Sequence, residues 1–80
     1  MEYVITTNNT NNYGHLKSET IRGLKTWSEV TDFLKNKLSP WTYKVYIYKF
    51  SSNNHLLGEK CVTMANLIEI ANSSTDKCLI

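Results

Sequence analysis

The run Thr42-Tyr43-Lys44-Val45-Tyr46-Ile47-Tyr48-Lys49-Phe50-Ser51 constrains the chain more than any other segment. Its β-branched and aromatic side chains suit a pleated strand. Period-two alternation places Tyr43, Val45 and Ile47 on one face and Tyr46, Tyr48 and Phe50 on the other. Both faces are therefore apolar. If helices cover the aliphatic face, the second becomes an aromatic strip flanked by Lys44 and Lys49.

The neighbouring segments supply the rest of a sheet and its helices. Ser52-Asn53-Asn54 is a turn, and His55 to Thr63 is the antiparallel hairpin partner. Nearer the N-terminus, Glu2 to Thr7 reads as a strand, followed by an Asn-rich turn from Asn8 to Asn12. His15 to Lys25 alternates more loosely, with Leu16, Ser18 and Thr20 on one face and Ile21 on the other, as in an edge strand. Thr26-Trp27-Ser28-Glu29 is a capping box that starts a helix whose stripe is Trp27, Val30, Phe33, Leu34 and Leu38. Ser39-Pro40 ends it, because proline disfavours helical geometry before it and donates no hydrogen bond. Thr63 is the expected cap of a second helix with Met64, Leu67, Ile68 and Ala71 buried, ending at Asn72-Ser73-Ser74.

The predicted fold is α+β in the order ββαββα, an antiparallel sheet with two helices packed on one face. The halves echo one another, since His15-Leu16 and His55-Leu56 open the second strands and each histidine is followed four residues later by Glu19 or Glu59. This suggests an internal pseudo-repeat with pseudo-two-fold packing. Unit 1 covers about residues 1–39 and unit 2 about 42–72, leaving 73–80 as a loosely held tail of one 1–80 domain.

Composition narrows the classes of function. With 80 residues, 41% apolar, the chain fits one core and not two. The net charge is +2, carried by scattered lysines and the single Arg22, so no basic stripe names a nucleic-acid or membrane partner. Apolar runs fall far short of the roughly 20 residues of a membrane span. The N-terminal residues lack the pattern of a secretory signal, so Cys61 and Cys78 read as reduced cysteines of a cytoplasmic protein. On that reading the sequons at Asn8 and Asn72 are fortuitous, and Cys78-Leu79-Ile80 is one residue short of a prenylation box. The Asn-, Lys- and Ile-rich alphabet points to AT-rich coding sequence of a low-GC bacterium or its phage.

Chemistry is sparse. Histidine and glutamate at i, i+4 chelate from a helix, but in strands they lie about 13 Å apart, so no metal site is expected. No nucleophile-base pair, carboxylate pair or phosphate-cradling glycine loop stands out, and neither catalysis nor a cofactor is expected. Trp27 and Phe33 read as core. The candidate partner-binding residues are the strip Tyr46, Tyr48 and Phe50, its lysines Lys44 and Lys49, and Trp41 in the connection after Pro40. The expected function is non-catalytic protein contact, with inhibition by masking a surface in the general style of phage-encoded accessory proteins. Two alternatives use the same strip: stacking of nucleic-acid bases with the lysines on phosphates, and burial in a homodimer.

Overall fold

The computed structural model describes residues 1–10 and 13–79. Its elements are β1 (Glu2–Thr10), β2 (Leu16–Leu24), α1 (Trp27–Asn36), β3 (Thr42–Phe50), β4 (Leu56–Thr63) and α2 (Leu67–Ala71), followed by a 3-10 turn, Lys77–Leu79. The four strands form one antiparallel sheet in the order β2-β1-β3-β4, so the predicted ββαββα fold is the observed one. β1 continues through Asn8, Asn9 and Thr10, where the Asn-rich turn was expected to begin. Asn11 and Asn12 lie outside the described residues.

Alternation selects the covered face. Tyr3 and Ile5 of β1, Val45 and Ile47 of β3 and Val62 of β4 form one core with Trp27, Val30 and Leu34 of α1 and Ile70 and Ala71 of α2. Because one cluster joins both helices to these strands, both helices pack on the same face. α1 begins as its cap dictates. Thr26 accepts from the Glu29 amide at 3.2 Å, while the Glu29 carboxylate reaches one residue beyond the cap and accepts from the Lys25 amide at 3.2 Å.

The spacing of the elements repeats from the first unit to the second, and β1 and β3 pair antiparallel at the centre of the sheet. Strand, strand and helix begin at residues 2, 16 and 27 in the first unit and at 42, 56 and 67 in the second, a constant offset of 40. Gly14 and Asn54 occupy equivalent hairpin positions and share a left-handed backbone, φ 79° and 64°. Glycine and asparagine tolerate that region best. Thr26 and Asn66 are the equivalent helix caps.

Bulges break the repeat in the outer strands. The first hairpin shifts register between Tyr3 and Ile5, the second between Lys49 and Phe50. Ile5 therefore faces Ile21 while Val45 faces Val62, 41 residues further on instead of 40. A bulge at the start of β3 also corrects the expected facing of Tyr43. The register shift opposite Asn8 and Asn9 turns Thr42 inward, where its hydroxyl bonds the Asn9 side chain, and leaves Tyr43 43% exposed.

Two C-terminal expectations are corrected. Thr63 remains paired with Lys44 in β4 and does not cap α2. The Asn66 side chain closes the intervening turn by accepting from the Thr63 amide at 2.9 Å, so the helix starts later. Met64 and Ile68 are consequently exposed, and the buried residues are Ile70 and Ala71. Residues 73–79 of the tail are not loose; Ile80 lies outside the described residues. Trp27 donates its indole N–H to the Ser73 carbonyl at 2.9 Å, Tyr3 donates its hydroxyl to Asp76 at 2.6 Å, and Leu79 is 1% exposed. Gly58 makes room for it, since a Cβ there would sit 1.9 Å from the Leu79 carbonyl oxygen.

Leu79→Ala is expected to cost about 2–5 kcal/mol of stability in urea unfolding, the range for a fully buried leucine. Gly58→Ala is expected to cost about 1–3 kcal/mol by forcing the tail off the sheet. An unchanged midpoint for both variants would show that the tail adds nothing to the core.

Candidate aromatic interface on the open sheet face

The face opposite the helices carries the even-numbered side chains of β1 and β3. Tyr46 lies between Thr6 of β1 and Cys61 of β4, and Tyr48 lies between Val4 and Glu59. Phe50 follows at the bulge, opposite Glu2 and Leu56. The rings of Tyr48 and Phe50 are 6.4 Å apart at 34°. Lys44 places its ammonium 5.8 Å from the centre of the Tyr46 ring, within reach of a cation–π contact. Tyr46, Tyr48 and Phe50 are all half-buried. Val4, 5% exposed yet outside the core cluster, forms the floor of this strip.

A shallow depression of about 260 Å³ runs beside the strip, lined by Tyr46, Tyr48, Glu59, Lys60 and Cys61. Charge of both signs borders the strip, with Glu2 and Glu59 towards the Phe50 end and Lys44 at the other. The surface is thus aromatic at its centre and of mixed charge at its edge.

Two of the predicted contact residues lie elsewhere. Lys49 shares the covered face with Val45 and Ile47, because it is an odd position of β3, and forms an ion pair with Asp76. It does not flank the strip. Trp41, 48% exposed, lines a separate cavity of about 380 Å³ with Asn9, Thr10, His15, Leu16, Lys17, Glu19 and Ser39. Sequence reasoning missed Val4 and Cys61 as members of the open face; the expected β3–β4 hairpin could have pointed to Cys61, whereas Val4 joins only because β1 pairs with β3.

The histidine-glutamate echo does not converge. Glu19 lies opposite Thr7 on the covered face, whereas Glu59 lies opposite Tyr48 on the open one. Among the described residues no three of histidine, cysteine, aspartate and glutamate gather with metal-binding geometry, and Cys61 and Cys78 are free thiols. Burial pushes the Cys78 thiol upward, away from thiolate reactivity. Among the described residues no helix is long and apolar enough to cross a membrane. No protein family, curated protein or solved structure matches the chain.

The cluster that removes Lys49 from the strip has its own titration. The hydrogen-bonded Lys49 ammonium and then the Tyr3 hydroxyl hold the Asp76 carboxyl below its ordinary range. Burial, reinforced by donation to that carboxylate, pushes Tyr3 up to about 12. A carboxyl lowered by folding contributes stability that is complete above its unfolded pKa of about 4 and is lost as pH falls through the folded value. Asp76→Asn is therefore expected to cost about 1–3 kcal/mol at neutral pH and to flatten the fall in stability below about pH 4. Urea unfolding across pH checks both. A variant that keeps the wild-type acid slope would assign that slope to other carboxyls.

Proposed function

We propose that the chain is a non-catalytic binding protein that masks a surface of a protein partner with its open sheet face, centred on Tyr46, Tyr48 and Phe50. The observation that carries this reading is the one-sided covering of the sheet. Both helices and the C-terminal turn pack on one face, and the other keeps three aromatic rings over the buried Val4. Rigid, amphipathic tyrosines supply contact area at low entropic cost and are enriched among residues that dominate binding energy. Lys44 and Glu59 at the periphery orient a partner of complementary charge.

The balance of charge favours protein over nucleic acid. Phosphate recognition requires several free cations along the groove, and Lys49 is committed to Asp76 on the other face. Occlusion needs no catalytic group. In this reading the chain is a cytoplasmic accessory inhibitor, phage-encoded and acting in the host cell, and its partner is a host or defence protein.

The test compares capture from host lysate, with and without nuclease, by the wild type, by Tyr46→Ala/Tyr48→Ala, and by Lys35→Glu on exposed α1. Wild type and Lys35→Glu are expected to retain the same protein, and the tyrosine variant to lose it by at least about ten-fold while keeping its circular dichroism. Unfolding of the tyrosine variant would make the strip structural. Capture that disappears with nuclease and falls steeply with salt would move the assignment to nucleic acid.

A further inference from the structure

The outer edge of β2 offers a second surface, independent of the aromatic strip. β2 ends the sheet, so its outward backbone groups have no neighbouring strand. Its residues Leu16 to Thr20 are all exposed, Leu16 at 75%, and they run in unbroken one-to-one register with β1 from Thr10 to Thr6. Beyond Ile21 the edge is interrupted by the bulge opposite Tyr3 and Ile5 and by Gly23 at φ 83°. The regular part of the edge is therefore short and centred on Ser18.

Opposite charges stand on the two sides of that centre. Lys17 and Glu19 flank Ser18 on the covered side of the sheet, and neither joins the ion pairs of the described residues, Lys37 with Asp32 and Lys49 with Asp76. Consider a second copy paired antiparallel to this edge about a two-fold axis perpendicular to the sheet. Centring on Lys17 or on Glu19 opposes like charges. Centring on Ser18 sets each Lys17 opposite the other copy's Glu19, twice, and each Leu16 opposite Thr20. Cross-strand pairs of opposite charge stabilise such a ladder, and like pairs destabilise it. The charges that discourage a foreign strand at this edge thus admit a copy of the same one.

We propose that the chain forms a two-fold dimer by antiparallel pairing of Leu16–Thr20 across Ser18, joining two four-stranded sheets into one of eight. A perpendicular axis leaves both open faces on the same side. The two β3 strands are then separated by five strand spacings, about 24 Å. Two aromatic strips at this separation give a bivalent surface, and a partner presenting two copies of its site gains avidity without new contacts.

Sedimentation equilibrium and native mass spectrometry test the dimer. The wild type is expected to dimerise with increasing concentration. Lys17→Glu and Glu19→Lys are each expected to weaken it by about ten-fold or more, because two attractive pairs become repulsive. An equimolar mixture of the two single variants restores opposite charges across the axis and is expected to recover a heterodimer. The double variant Lys17→Glu/Glu19→Lys is expected to recover a homodimer. Tyr46→Ala/Tyr48→Ala keeps the dimer, which separates this inference from the reading of the strip. A wild type that is monomeric throughout its soluble range overturns the proposal. So does a dimer indifferent to the single variants, a loss that neither the mixture nor the double variant reverses, or a dimer that vanishes with the tyrosines.

Discussion

The structure depends on covering one face of a four-stranded sheet with very little helix. α1 has ten residues and α2 only five. A five-residue helix spans about 7.5 Å, too short to cover β3 and β4 alone. The C-terminal turn supplies what is missing. Leu79 enters the gap above Gly58, and Asp76 fastens the segment to Tyr3 of β1 and Lys49 of β3. The clamp sits at the boundary of the core, where its groups are neither fully dry nor free. A buried tyrosine hydroxyl needs an acceptor, and a half-buried lysine needs an anion. One carboxylate satisfies both.

This arrangement determines which surface is left open. The helices and the tail all lie on the face of Ile5, Val45 and Ile47, so β3 presents its second apolar face to solvent. Lys49 shows how sharply the sheet partitions its side chains. It stands between Tyr48 and Phe50 in sequence, yet alternation carries it to the opposite face, where its charge stabilises the tail. The strip consequently gains hydrophobic character while losing the cation that sequence proximity assigned to it.

The order of elements was legible because each signal was local. The capping threonine, the proline after α1 and the alternation of β3 act within a few residues of themselves. The misreadings are of another kind. Thr63 resembles a cap, but a strand pairing with Lys44 holds it in β4. The tail is polar from Asn72 to Lys77 and reads as loose, because its partners Tyr3, Trp27 and Gly58 are distant in sequence. Tyr43 and Lys49 illustrate the remaining limit. A bulge displaces Tyr43, whereas the face of Lys49, an odd position of β3, was legible from alternation and only its long-range partner Asp76 was not. For the strip, the residues Tyr46, Tyr48 and Phe50 were readable from β3 alone, whereas its floor at Val4 required knowing that β1 is its neighbour.

The repeated frame supplies a comparison within the molecule for the meaning of that strip. At the offset of 40, Tyr46, Tyr48 and Phe50 stand where Thr6, Asn8 and Thr10 stand in the first unit. The covered face is matched more closely, with Val45 for Ile5 and Ile70 for Val30, all four buried. Strand propensity alone does not account for the difference. β1 is a central strand of the same length in the same sheet, and it carries short polar side chains at the three equivalent open-face positions. The frame therefore tolerates polar residues there, and the aromatic ones add a half-buried apolar surface that folding of the equivalent strand does without. A solvent-facing apolar surface is a liability in a small protein unless something covers it. That asymmetry, set on a nearly repeating backbone, is the strongest physical support for reading the strip as a place of contact.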